Sequence, residues 1–262
     1  MSEQAVRFDD ADLEAARSTL ARAVDGAATH VVTLTDEQVM ILDGLDREQI
    51  VPLPWLDEQE GADRALVGKV ALRALLSQGV VVPGPGRDDD EVSLEAVPDI
   101  TGPMLLRRTA QAILSAERVT SIDRSWVVCY LHDDAGVLEE EVSTSGHHRF
   151  SVYPVAYLGE RLSTYLDPIA AAARDGEPLR LSTAELEERG ATMPELTEAR
   201  AVTTVSAVRS GVPELVNVTV YAGPLGTFVL EGGDRASTGG AELTLTEVAA
   251  DRVRALPVEL VA

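Results

Sequence analysis

Residues 125–155 read SWVVCYLH, DDAG, VLEEEVS, TSGHH, RFSVYPV. Three short runs rich in Val, Tyr and Phe are separated by two turns of Asp, Gly and Ser, the pattern of antiparallel hairpins. The pattern returns at residues 201–232 as AVTTVSAVRS, GVPE, LVNVTVYA, GPLG, TFVLEG. Stretches of helical periodicity flank both copies. The expected fold is therefore α+β: a central antiparallel sheet built from two three-strand meanders with flanking helices, quasi-twofold. One domain is expected over 1–262, with 1–160 and 161–262 as candidate pseudo-repeat halves. The Gly-Pro-Asp tract GPGRDDDE at 84–91 reads as a mobile loop and is the nearest approach to a boundary.

Helices follow from periodicity and capping signals. Residues 9–25 place Leu13, Ala16, Leu20 and Val24 on one face, with Asp9 or Asp10 at the start and Gly26 at the end. After the strand-like HVVTL, Thr35 and Gln38 form a capping box for a helix burying Val39, Leu42 and Leu45. Residues 50–61 read as a proline-broken loop. The next helix, 62–78, places Leu66, Val70, Ala74 and Leu75 inward and stops at Gly79. Residues 102–118 read as a helix, 157–175 as a helix split at Pro168, and 182–190 as a helix with a Ser182/Glu185 box. LTEVAADRVRALP, 245–257, reads as a closing helix.

The formal charge of −22 and pI near 4.4 act against nucleic acid and anionic lipid, because phosphate binding needs cations that displace counterions. Neutral molecules or proteins remain as partners. Lys69 is the only lysine, the mark of a GC-rich genome. Cys129 is the only cysteine, which excludes an intrachain disulfide and a multi-cysteine zinc site. The polar, acidic start and the absence of a run of ~20 apolar residues predict a soluble, cytoplasmic chain without signal peptide or membrane span.

Motifs for chemistry are missing. His147 and His148 are adjacent in a strand, so they point to opposite faces and cannot chelate one ion together. Cys129 lies in an apolar strand and reads as core. GPGR and GPLG match neither a P-loop nor a dinucleotide-binding turn, and TSGHH lacks the first glycine of a nucleophile elbow. In VLEEEVS, alternation separates Glu140 from Glu139 and Glu141. No catalytic residue, metal ligand or cofactor site is expected. Two other readings remain. Residues 30–82 could form a winged-helix transcriptional regulator or a peptide-recognition module, with Arg64, Lys69 and Arg73 on its helix; an enzyme using carboxylates is the second.

Val32, Leu34, Thr35, Gln38, Leu42 and Leu45 are followed by Pro54-Trp55, then by ALRALLSQGVVVPG at 71–84, and VNVTVYAGPLGTFVL at 216–230 precedes the last helix. On these residues and their order the chain resembles the EspG family, cytoplasmic chaperones of ESX (type VII) secretion in mycobacteria and other actinobacteria. The resemblance implies an α+β body, no enzymatic activity and no cofactor. It also implies a helical, secreted PE/PPE-like protein as partner, which the chaperone, a monomer or weak homodimer, keeps soluble. The sheet and a loop between its strands would meet that partner. In this chain the matching residues are Asp133, Asp134, Leu138, Val142, His147 and His148.

The charge balance predicts no retardation of random duplex DNA in a gel shift at about 150 mM salt. A sharp shift would restore the regulator reading.

Overall fold

The structure, a computed structural model, describes residues 8–24, 27–45, 47–84, 93–232 and 242–262. Along the chain run α1 (Asp10–Leu20), β1 (Thr29–Thr35), α2 (Asp36–Asp43), α3 (Pro54–Asp57), α4 (Arg64–Ser77), β2 (Val81–Gly84), β3 (Ser93–Ala96) and α5 (Pro98–Thr109). Then follow β4 (Ala112–Thr120), β5 (Arg124–Leu131), β6 (Val137–Ser143), β7 (His147–Tyr153) and α6 (Leu158–Leu166). The chain continues with β8 (Leu179–Ser182), α7 (Thr183–Arg189), α8 (Pro194–Thr197), β9 (Ala201–Arg209), β10 (Val212–Gly223), β11 (Gly226–Gly232), β12 (Glu242–Glu247) and α9 (Ala250–Val261). The fold is α+β with antiparallel strands, and both expected meanders are present as β5–β6–β7 and β9–β10–β11.

Two compact units are built from this chain: Met1–Ala110 with Tyr130–Pro154, and Gln111–Cys129 with Val155–Ala262. In the first, the strand order is β1-β7-β6 and then the end of β5. β7 pairs antiparallel with both neighbours, placing His148 opposite Leu34 on one side and Val142 on the other. Leu138, Val142, Phe150 and Val152 are buried on one sheet face. Helix α5 packs on β1, β6 and α1.

In the second unit the order runs from the start of β5 through β4-β9-β10-β11-β12-β8. Leu114, Ala116, Val205, Ala207, Val218 and Val220 are buried on one face, and α9 packs against β4 and β9. Leu181, Met193 and Leu245 form a separate small core with Leu186, Leu196, Phe228 and Leu230.

Several expected elements change. The helix predicted over 102–118 starts earlier, at Pro98, and ends at Thr109; residues 112–120 are strand β4. Burial of Ala112, Leu114 and Ala116 at every second position is the strand period that the apolar run concealed. After α6 no second helical piece forms, because Asp167, preceding Pro168, leaves the helical region (φ −126, ψ 74). Its carboxylate instead accepts from the Ala171 and Ala172 amides. Residues 245–247 belong to β12, and only the later part of the predicted closing helix is α9. The loop at 50–61 contains one helical turn, α3, with Val51, Leu53 and Leu56 buried.

Helix faces also rotate. α1 buries Ala15, Ala16 and Thr19, while Leu13 and Val24 are exposed. α4 buries Gly68, Ala71 and Leu75, while Leu66 and Val70 are exposed. The capping boxes hold: Thr35 N–H donates to Gln38 Oε1 at 3.1 Å, and Ser182 N–H to Glu185 Oε2 at 2.8 Å. Helix α7 runs into a further 3-10 turn at Gly190–Thr192 rather than stopping at Gly190. The loop residues 85–91, Gly26 and 233–240 lie outside the described residues.

Helices α1 and α5 approach closely enough that a Cβ at Gly102 would collide with Thr19 Oγ1 and lie 2.6 Å from the Ala15 carbonyl oxygen. The latter is backbone and cannot step aside. Gly102→Ala should therefore lower stability by about 1–3 kcal/mol, despite the better helix propensity of alanine. Urea denaturation of the two proteins checks this; an unchanged or raised midpoint would contradict the packing.

Candidate functional site

The first unit contains a buried chain of charges. Alternation in β6 places Glu140 on the same face as Leu138 and Val142, fully buried. A carboxylate there must find charge or hydrogen-bond donors inside the fold. Glu140 Oε2 accepts from the Tyr130 hydroxyl at 2.7 Å and from Arg107 Nε at 2.9 Å. Its Oε1 faces His148 Nδ1 at 2.7 Å. The other ring nitrogen, His148 Nε2, faces Asp36 Oδ1 at 2.8 Å. Asp36 is also fully buried, and its Oδ2 accepts from the Leu56 amide at 2.9 Å.

Both ring nitrogens of His148 therefore face carboxylates, and both must carry hydrogen. Burial by itself would push the imidazolium pKa down. The bonds to Asp36 and Glu140 outweigh it and raise the pKa above the usual 6.5. Burial likewise opposes ionisation of Glu140, but the Arg107 charge, followed by the His148 bond, brings it below the usual 4.5. Arg107 is itself buried, with Nη1 3.2 Å from Asp43 Oδ2 in a charge contact without hydrogen-bond alignment. Asp43 accepts from Arg108 Nε at 3.0 Å. Three carboxylates and three cations thus cancel.

The turn before His148 completes the arrangement. Gly146 has φ +72, and its carbonyl accepts from the Asp36 amide at 2.9 Å. A Cβ there would lie 2.6 Å from Trp55 Cβ and 2.9 Å from Asp36 Cγ. Backbone sign and space both demand glycine.

Three of the sequence-predicted partner-binding residues are interior. Leu138 and His148 are fully buried and Val142 nearly so, which leaves their side chains no part in a surface. The two histidines point to opposite faces, as alternation requires, with His147 exposed and His148 interior. Asp133 and His147 are exposed; Asp133 and Asp134 lie in the 3-10 turn Asp133–Ala135, Asp133 at φ +44. Cys129 is buried, as expected. Sequence reasoning missed Asp36, Arg107 and Tyr130. The available signal was Glu140, a charge in phase with Leu138 and Val142. Among the described residues, no cluster of His, Cys, Asp and Glu is arranged to hold a metal ion.

The second unit offers a different feature, an open sheet face. Across β4 and β9 the pairs are Ile113–Val208, Ser115–Ser206, Glu117–Thr204 and Val119–Val202. Ser206, Thr204 and Val202 continue to Asn217, Thr219 and Tyr221 on β10. Every one of these side chains is exposed or half-buried. Glu117 is the one acid among them, and Arg124 pairs with it. In a chain of charge −22 this is an almost neutral surface of β-branched and hydroxyl side chains.

No protein-family model matches the chain, and no curated protein matches it by sequence. A solved structure does match in fold: the Mycobacterium tuberculosis type VII secretion system chaperone EspG5 in complex with a PE25–PPE41 dimer. The TM-score is 0.54 at 15% identity, over 88% of this chain and 95% of that one. The chain has an EspG-like fold. Among the described residues, no helix is long and apolar enough to cross a membrane.

The charge chain sets a pH response. The His148 contribution is complete below pH 6.5 and is lost as pH rises through the raised pKa; that of Glu140 is complete above 4.5 and is lost as pH falls through the lowered one. The urea midpoint should peak between those values, and His148→Gln should remove the alkaline decline. Glu140→Gln leaves an imidazolium and a guanidinium short of a counter-charge, and should cost about 3–5 kcal/mol.

Proposed function

We propose that this protein is a non-enzymatic cytoplasmic chaperone of the EspG kind, which captures a helical PE/PPE-like secretion substrate and keeps it soluble. The observation that carries the reading is the fold likeness to a chaperone solved with a PE25–PPE41 dimer, extending over 88% of this chain.

The surface best suited to capture is the neutral face of β4, β9 and β10. A protein interface needs a core depleted of charge within a polar rim. Ile113, Val119, Val202 and Val208 supply apolar contact there, and Ser115, Thr204, Ser206 and Asn217 supply hydrogen bonds. Exposed turn residues of the first meander, Asp133 before β6 and His147 after it, at opposite ends of that strand, are the second candidates for contact with the same partner. Acidic surface elsewhere keeps the complex from associating further.

The test is co-expression with a PE/PPE-type pair encoded by the same organism, followed by size exclusion with light scattering. A defined complex that keeps the pair soluble is expected. A pair that is equally soluble alone and elutes separately would overturn the reading. Val119→Asp with Val208→Asp, both at exposed positions, should abolish capture without lowering the melting temperature. If capture survives that variant but is lost with Asp133→Arg and His147→Glu, docking belongs to the first meander.

A further inference from the structure

Helix α4 differs in charge from the rest of the molecule. Residues 64–87 form the longest stretch of the chain without an acid, and they contain Lys69, the only lysine. The helix is held from one side: Gly68 faces Leu45 and Ile41, and with Ala71 and Leu75 forms its buried stripe. The opposite side carries Leu66 and Val70, 58% and 59% exposed, with Lys69, Arg73 and Leu76 also exposed. The spacings 66/70/73 and 69/73/76 bring these five side chains onto one continuous face.

Among the described residues, the acids bonded to this helix lie at its beginning. Asp63 caps it, accepting from the Ala65 and Leu66 amides, and Asp57 pairs with Arg64 at 3.1 Å. Glu58 and Glu60 precede it in the connection from α3. Lys69 and Arg73 take part in no ion pair among the described residues. Two cations beside two half-exposed aliphatic side chains form an amphipathic face that none of the described residues of this unit covers.

We infer that this face of α4 is a second interaction surface, and that it takes an acidic amphipathic helix of a partner protein. A Leu or Ile stripe on that helix would cover Leu66 and Val70, and flanking Glu or Asp would reach Lys69 and Arg73. The net charge of −22 does not forbid this, because screening at physiological salt confines each charge to about 8 Å. Charge complementarity also selects against the alternatives. Two cations supply too few phosphate contacts for nucleic acid. They contribute only about 1 kcal/mol each at an anionic membrane, with an acidic body behind them. A second copy docking α4 on α4 would bring like charges together. This inference is independent of the proposed function, since it concerns another unit and another partner.

The test uses the full chain and a fluorescent, capped synthetic peptide of about 18 residues, five helical turns. The peptide has one Leu stripe flanked by Glu, with Ala elsewhere. Fluorescence anisotropy should show saturable binding that weakens with salt. Lys69→Glu with Arg73→Glu should weaken it about 10-fold or more, as loss of close charge pairs does, and Leu66→Ser with Val70→Ser should do the same. All four positions are exposed, and circular dichroism melting verifies that each variant is folded. A matched peptide with Lys for Glu should ignore the native protein and bind the charge-reversed variant. That swap is the decisive arm. Equal binding by native and reversed proteins, or failure of the swap, would overturn the inference. So would binding of phosphatidylserine vesicles or of random duplex DNA in place of the peptide, or a dimer in light scattering that the Leu66/Val70 variant dissolves.

Discussion

A carboxylate in the middle of a buried strand has to be neutralised from within the fold, and Glu140 imposes that condition on the first unit. Its partners come from separate parts of the chain: Tyr130 from β5, His148 from β7, Arg107 from α5 and, through His148, Asp36 at the start of α2. Each must arrive in register for the others to be satisfied. A one-residue slip of β7 against β6 would turn His148 to the other sheet face and take from Asp36 and Glu140 the cation that lies between them. A network of this kind adds less net stability than an apolar core of equal volume, since desolvation offsets most of the Coulomb attraction. What it supplies is a penalty on wrong pairings, and the tight Gly146 turn supports it from the backbone side.

The charge network is not placed to act on a substrate. Asp36, Glu140 and His148 have the residue types of a proton relay, yet all three are wholly buried and each oxygen or nitrogen is taken by a neighbour. Chemistry of that kind needs a group that a reacting atom can reach. The same side chains in an open cleft would read as a catalytic set; enclosed, they are a fastening.

Charge is distributed elsewhere in a way that favours recognition. An acid-rich surface keeps copies of the protein apart, and the few neutral or basic areas then become the places where another molecule can approach without repulsion. The second unit presents such an area as a sheet face, and the first presents one as a helix face. The two differ in chemistry, hydroxyl and valine side chains on β4, β9 and β10 against leucine and cations on α4, so they suit partners of different composition.

Local pattern carried much of the architecture. Turn residues and β-branched runs determined both meanders, and capping boxes at Thr35/Gln38 and Ser182/Glu185 located two helix starts to the residue, because hairpin turns and helix caps are settled by neighbours within a few positions. The strand at 112–120 was misread as helix, since a short apolar run satisfies either period until a partner strand, here β9, supplies the hydrogen bonds. Which face of α4 turns inward, and which residues neutralise Glu140, depend on segments many positions apart in the chain. VLEEEVS announced a charge on an apolar strand face; only the tertiary structure could bring His148, Arg107 and Tyr130 to it, because burial and pairing of a charge are decided by what packs on the strand, and the strand's own sequence does not contain that information.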